Sequence, residues 1–354
     1  MLEWMRSPIP AALRGDVSHL LSIADLDGRA ITDVIEHALV LKTLAPGDGR
    51  AALLGGRWVA LVFDKPSLRT KVSFEVGIQR LGGGTTTLAG SEIGLGSREP
   101  LADIARTLSR YVDAIVIRML SHTGLTELAA ASTVPVINAL SELEHPCQAL
   151  ADLLTLREHL GSLRGRRLAY VGDGNNVCHS LLLAGAAVGL NVRVATPRGY
   201  EPDQAIVDQA IRLAIRNGAQ VEVGNDAANA VRGADAVYTD VWASMGAEHE
   251  AAERRRAFAG FRVTADLFEE APGALVMHCL PAHRGEEIDA EVIDGPRSVV
   301  FDQAENRLHA QQALLVHLLN ARRAGIPARR AGIPTGRGSG LRASQLAAGL
   351  PRSI

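Results

Sequence analysis

The chain has 354 residues, 47% of them hydrophobic, with 37 Lys and Arg against 39 Asp and Glu and a formal net charge of −2. At roughly 100–200 residues per domain this is enough for two domains with buried cores, and the balanced charge gives no electrostatic reason to expect nucleic acid or an anionic membrane as a partner. No apolar run approaches the roughly 18 residues of a membrane span, residues 1–10 read as neither a signal nor a transit peptide, and three cysteines make no disulfide framework or metal-ligand pair, so the expectation is a cytoplasmic protein of two globular domains.

Short apolar β-rich runs alternate with longer amphipathic stretches, the pattern of α/β architecture with a central parallel sheet in each domain, flanked by helices. In chain order, residues 17–42 lead into a helix. Strands are predicted at 58–63, 85–88, 114–119 and 134–138, with helices at 67–81, 100–111, 125–131 and 145–160 between and after them. A second series places strands at 168–171, 192–195, 221–223, 236–239, 274–278 and 299–301, and a helix over 304–321 closes the body. The division falls near residue 150, giving a first domain over 1–150 and a second over 151–303, with the closing helix (304–320) packing back on the first. Residues 321–354 stand apart. They hold seven arginines, no acidic residue and the heptapeptide ARRAGIP twice in succession, which reads as a disordered Arg-rich tail.

Sites in such sheets lie beyond the carboxyl ends of the strands, and the chemically suggestive residues do follow strands. At 63–71 a strand runs into a helix through Ser67-Leu68-Arg69-Thr70. Ser67 suits an N-cap, and the unpaired first-turn N–H groups, two hydroxyls and a guanidinium suit a phosphate; ordinary capping with a solvated Arg69 is the plainer alternative. His145-Pro146-Cys147-Gln148 opens a helix and offers a neutral imidazole and an amide to a carbonyl oxygen. Gly172-Asp173-Gly174-Asn175-Asn176 lacks the third glycine of a dinucleotide fingerprint, since position 177 is Val; its asparagines could hold a carboxylate or an amine. Asp240, at a strand end, is placed to hold a cationic amine under the small loop 241–246. In His278-Cys279-Leu280-Pro281 the cysteine is either a thiolate beside a positive group or a buried inert thiol. Arg307, near the start of the last helix, is a candidate for an anionic group.

Taken together in this order and spacing, these motifs closely resemble the ornithine carbamoyltransferases of the aspartate/ornithine transcarbamylase family, from about residue 17 to residue 320. Ser67-Leu68-Arg69-Thr70 is similar to the family's carbamoyl-phosphate motif, His145-Pro146-Cys147-Gln148 to its second motif, the Asp-x-Trp-x-Ser-Met-Gly loop at 240–246 to its ornithine-specific loop, and His278-Cys279-Leu280-Pro281 to the motif that closes the site. The resemblance implies transfer of the carbamoyl group from carbamoyl phosphate to L-ornithine, giving L-citrulline and phosphate, with no metal or organic cofactor, in a homotrimer or multiple of trimers serving arginine biosynthesis. It implies that Ser67, the Leu68 backbone, Arg69 and Thr70 hold the phosphate with Arg118 and Arg307, that Arg118, His145 and Gln148 address the carbamoyl oxygen, and that Asn176, Asp240, Ser244 and Met245 grip ornithine. Cys279 and the Leu280 carbonyl, which complete the carbamoyl-phosphate set, are the acceptors expected around the δ-amine, with Arg118, His145, Asp240 and Cys279 as the catalytic group. Two other readings are open, a carbamoyltransferase acting on another amine and a non-catalytic binding protein on the same fold. Three positions depart from the family pattern. Leu68 stands where Thr is commonest and Lys71 where Arg is common, while Glu92, often Gln, would repel a phosphate unless Arg98 neutralised it.

Overall fold

The computed structural model describes residues 19–44, 49–243 and 248–325. Ser244 and Met245 therefore lie outside the described residues, as does the predicted tail from 326 onward. In chain order the elements are α1 (Gly28–Thr43), β1 (Trp58–Phe63), α2 (Leu68–Arg80), β2 (Gly84–Ala89), α3 (Gly90–Ile93), α4 (Leu101–Tyr111), β3 (Ala114–Arg118), α5 (His122–Ala131), β4 (Val136–Leu140) and α6 (Pro146–Leu160). They continue with β5 (Arg167–Val171), α7 (Asn176–Val188), β6 (Asn191–Ala195), α8 (Gln204–Asn217), β7 (Val221–Gly224), α9 (Ala227–Val231), β8 (Ala236–Thr239), α10 (Ala251–Ala257), β9 (Leu275–His278), α11 (Ala290–Ile293) and α12 (Val300–Gly325).

The strands form two parallel sheets, ordered β2-β1-β3-β4 and β7-β6-β5-β8-β9. Parallel strands covered by helices on both faces are buried on both, so their sequences run apolar without alternation. In β1, Val59 to Phe63 are all buried, and every residue of β4 is. The edge strands show the contrast: β2 is half-buried and carries three consecutive threonines, and β7 alternates between half-buried and exposed. Each order reverses beside its first strand, between β1 and β3 and between β5 and β8, and a crevice opens there at the carboxyl ends.

One apolar cluster joins the two halves. Val59, Leu61, Val116 and Ile137 from the first sheet and Leu168, Tyr170 and Val192 from the second pack with residues of α1, α6, α7 and α12. The opposite faces are covered separately, the first by α4 and α5 and the second by the segment around Phe268 and Ile288. Pro146 to Leu156 and Val177 to Ala187 are buried without a break, so α6 and α7 are hydrophobic on every side, as central helices must be. The first turn of α1 meets the end of α7 at Gly28, where a Cβ would come within 2.1 Å of the Ala187 carbonyl oxygen. Helix α12 packs against α1, α2 and α6. Among the described residues no helix is long and apolar enough to cross a membrane.

Three expectations need correction. Residues 299–301 form no strand: Val299 donates its N–H to the Val276 carbonyl (3.0 Å), but its own carbonyl already accepts from Gln303 (2.8 Å), so the chain turns into α12 and leaves Phe301 70% exposed. Strand β4 begins at Val136 rather than residue 134, because Pro135 has no N–H for the ladder and contributes only its carbonyl, which accepts from Ile115 (2.8 Å). Residues 321–325, the start of the predicted tail, continue α12.

Candidate active site

The carboxyl ends of both sheets face a single cleft of about 470 Å³, lined from the first half by the start of α2, Arg118, His145 and Gln148, from the second by Asn176, Asp240, Cys279 and Leu280, and from α12 by Arg307. The first side is cationic. Leu68, Arg69 and Thr70 are the opening residues of α2, whose backbone N–H groups have no partner within the helix. Ser67 occupies the N-cap position as expected, yet its hydroxyl makes no capping bond; its backbone carbonyl makes only the ordinary first helical bond, accepting from Lys71 (3.1 Å). Arg307 is buried, with Nη1 donating to Gln148 Oε1 (2.5 Å) and Nη2 to Thr70 Oγ1 (3.1 Å). The Nε atoms of Arg307 and Arg118 are buried without a partner. Burial, then the charges of Arg307 and Arg69, push the Arg118 guanidinium down to about 10. Three guanidiniums that repel one another at the start of a helix are a receptor for a multiply charged anion.

His145 stands at the N-cap of α6, its N–H donating to Ser180 Oγ (2.9 Å) and its Nδ1 buried without a partner. Burial, reinforced by Arg307 and Arg118, holds its pKa well below the ordinary histidine value, so the ring is neutral at physiological pH. The amide of Gln148 is oriented from both ends, its oxygen on Arg307 and its nitrogen donating to Asp152 Oδ1 (2.7 Å).

The opposite side is acidic. Asp240 Oδ2 accepts from Asn175 Nδ2 (2.8 Å), and Oδ1 accepts from the Val241 N–H (2.8 Å) and from Cys279 Sγ (2.9 Å). Of the two alternatives for Cys279, the geometry favours the protonated thiol: burial and the Asp240 carboxylate raise its pKa well above the ordinary thiol value, and the sulfur donates to Asp240. Leu280 has φ 58°, a left-handed conformation uncommon for a non-glycine residue and concentrated at functional sites. Its N–H donates to His278 Nδ1 (2.9 Å), and Nε2 of that ring faces Glu287 Oε1 (3.2 Å). Asp240, His278 and Cys279 each bring a donor atom within 4.8 Å of the others, but a Nδ1 that accepts from Leu280 leaves Nε2 as the protonated nitrogen, so the imidazole has no spare lone pair for a cation.

Asn176 opens α7 and donates to the Ser141 carbonyl (2.6 Å), reaching from the second half to the first. Asn175, expected to be available to substrate, is instead committed: its oxygen caps α7 by accepting from Val177 (3.0 Å) and Cys178 (3.1 Å), and its nitrogen orients Asp240. Glu92 turns back to accept from the Ala89 N–H (3.1 Å) at the start of α3 and does not line the cleft. Sequence reasoning passes over the polar layer beneath the cleft, Asp152, Gln303 and Glu144, all fully or almost fully buried. The signal for Asp152 is an acid inside the otherwise apolar run from Cys147 to Leu156, four residues after Gln148.

Residues 18–158 match the family model described as the aspartate/ornithine carbamoyltransferase carbamoyl-P binding domain, and residues 164–318 match the model for the Asp/Orn binding domain of the same family. An ornithine carbamoyltransferase from Acidothermus cellulolyticus is 56% identical over 310 residues, 86% of this chain and 97% of its own length. The solved ornithine carbamoyltransferase from Pyrococcus furiosus superposes with a TM-score of 0.83 at 48% identity, covering 88% of this chain and 99% of that one. The anabolic ornithine carbamoyltransferase from Campylobacter jejuni gives 0.82 at 36% identity, covering 86% of this chain and 100% of that one.

Proposed function

The chain belongs to the aspartate/ornithine carbamoyltransferase family, and from that membership we propose that it transfers the carbamoyl group of carbamoyl phosphate to the δ-amine of L-ornithine, giving L-citrulline and phosphate. The observation that carries this reading is the polarity of the cleft, with Arg69, Arg118 and Arg307 gathered on one wall and the Asp240–Cys279 pair on the other. An anionic carbamoyl donor belongs on the first wall and a diamino acid on the second.

The phosphate sits on the N–H groups that open α2 and on Ser67, Arg69, Thr70, Arg118 and Arg307. Arg118, the neutral His145 and the second amide hydrogen of Gln148 address the carbamoyl oxygen. As the amine adds to the carbamoyl carbon that oxygen gains negative charge, and donors placed for it in advance lower the barrier; losing one typically costs about 10²–10³ in rate. The C–O bond to phosphate then breaks, and the extra proton on the added nitrogen passes to the departing phosphate. On the other wall Asn176 and Asp240 hold the α-amino and α-carboxyl groups with Ser244 and Met245. The δ-amine must shed a proton before attack, from an ordinary value of about 10.4 for an alkyl ammonium, and the neighbouring guanidiniums and a dry cleft lower it. With the Cys279 hydrogen donated to Asp240, the sulfur lone pairs and the Leu280 carbonyl are the acceptors for the neutral amine. Holding both substrates in line between the halves supplies much of the remaining rate.

Anabolic use, in arginine biosynthesis, follows the Campylobacter jejuni relative. The assembly is a homotrimer or a multiple of trimers; the bare apolar start of α2, where Leu68 is 74% and Val72 46% exposed beside the cleft, supports a contact between copies there, and a mass by light scattering that is not a multiple of three chains would overturn the assembly. The test of the reaction is formation of the carbamoylated amine, together with phosphate release, from carbamoyl phosphate with L-ornithine (where the product is citrulline), N-acetylornithine, putrescine and L-aspartate in parallel. Turnover with L-ornithine alone is expected. Turnover of another amine would keep the phosphate wall and overturn the amine wall.

A further inference from the structure

Beneath the cleft lies a directed chain of hydrogen bonds that the substrate contacts leave unused. From the phosphate side, Arg307 donates to the Gln148 oxygen (2.5 Å) and the Gln148 nitrogen donates to Asp152 Oδ1 (2.7 Å). From the amine side, the His278 N–H donates to the Gln303 oxygen (3.0 Å) and the Gln303 nitrogen donates to the same Asp152 Oδ1 (2.7 Å). Asp152 and Gln303 are fully buried and Gln148 almost so; burial pushes the Asp152 carboxyl up to about 7, against hydrogen bonds from Gln148, Gln303 and the Tyr238 side chain. A primary amide can face either way, and in a dry interior the wrong orientation strands a donor against a donor. Oδ1 accepts from both glutamines whichever protonation state Asp152 holds, and this removes that freedom from both.

We propose that Asp152 is a positioning residue for carbamoyl transfer: as the common acceptor of Gln148 and Gln303 it sets Gln148 toward the carbamoyl donor on one side and anchors the turn carrying Cys279 and Leu280 on the other. The geometry makes Gln303 the arm that reaches the amine side. It links α12 to the backbone of His278, the residue immediately before Cys279, while Gln148 reaches the phosphate side through Arg307. Asp152, on α6, ties the two arms to each other. The inference rests on the transfer reading above, so citrulline formation by the unaltered protein is measured first; its absence would sink that reading and leave Asp152 aside.

The experiment is steady-state kinetics of two near-isosteric variants, with circular dichroism to show that each is folded. Asp152→Leu keeps the approximate volume and leaves both glutamine amides without their common acceptor. It is expected to lower kcat at least tenfold and to raise the KM for carbamoyl phosphate. Gln303→Met keeps the volume and removes only the amine-side arm, so it is expected to raise the KM for L-ornithine at least fivefold while that for carbamoyl phosphate stays within twofold. A structural role would lower the thermal midpoint without splitting the two KM values. A folded Asp152→Leu enzyme with all constants within twofold of the unaltered protein, or a Gln303→Met enzyme in which both KM values move together, would overturn the proposal. If Asp152→Leu does not fold, the split in Gln303→Met decides.

Discussion

In the reaction proposed above, Asp240 acts through its charge as much as its position. Its two oxygens accept from a side-chain amide, a backbone N–H and a thiol, and a carboxylate held by three donors still has lone pairs for a substrate ammonium. Replacing it by Asn preserves the shape and one acceptor oxygen but removes the charge-assisted part of the amino-acid contact, about 1.5–3 kcal/mol. Asp240→Asn is accordingly expected to raise the KM for L-ornithine roughly 10–100-fold and to leave carbamoyl phosphate, on the opposite wall, nearly unaffected. Initial-rate measurements with each substrate varied in turn check this, and equal losses for both would remove Asp240 from the amino-acid site. Cys279 has its chemistry set by the same neighbour. Motif spacing alone permits either a thiolate or an inert thiol, and only the carboxylate 2.9 Å from its sulfur decides for the protonated form.

At the scale of elements, α1 and α7 meet closely at Gly28. Alanine is the better helix former than glycine by about 1 kcal/mol, so an open site at residue 28 would gain from the change. Here the added methyl would lie 2.1 Å from a backbone oxygen, and backbone cannot rotate away as a side chain can. Overpacking of this kind costs about 1–3 kcal/mol, so Gly28→Ala is expected to destabilise the protein, seen as a lower midpoint in denaturant unfolding; an unchanged or higher midpoint would mean that α1 is free to shift. The elements themselves are largely legible in the sequence, because buried parallel strands are continuous apolar runs and the motif residues sit directly after them. Phosphate-wall and amine-wall residues are legible for the same reason, through short local motifs. What local pattern cannot reveal depends on partners far along the chain. Val299 and Val300 carry strand propensity, yet the single bridge to Val276 and the bond from Gln303 turn them into a helix start. Ser67 has every local feature of a capping residue and makes no cap, and Asp152 meets Gln303 across 151 positions of sequence.

For the molecule as a whole, the cationic wall is a liability until it is filled. Arg307 is fully buried and Arg118 mostly so; Arg307 and Arg69 lower the affinity of Arg118 for its proton, and Arg69 lowers that of Arg307, which states in another form that the folded chain works against their repulsion. Because one apolar cluster runs through both halves, strain in the cleft is carried by the entire body rather than by one domain, and relief of it should appear in the unfolding of the whole. A phosphate bound there stabilises by RT ln(1 + [L]/Kd), about 2.7 kcal/mol at a hundredfold excess over Kd. Inorganic phosphate is therefore expected to raise the thermal midpoint in a single transition, beyond the effect of sodium chloride at equal ionic strength. Arg307→Gln should weaken the response to phosphate by removing one of the three cations and the contacts to Gln148 and Thr70. Differential scanning calorimetry with phosphate and chloride decides it: equal shifts with phosphate and chloride would mean that the guanidiniums are screened nonspecifically and form no phosphate site, and two separate transitions would mean that the shared core does not couple the halves.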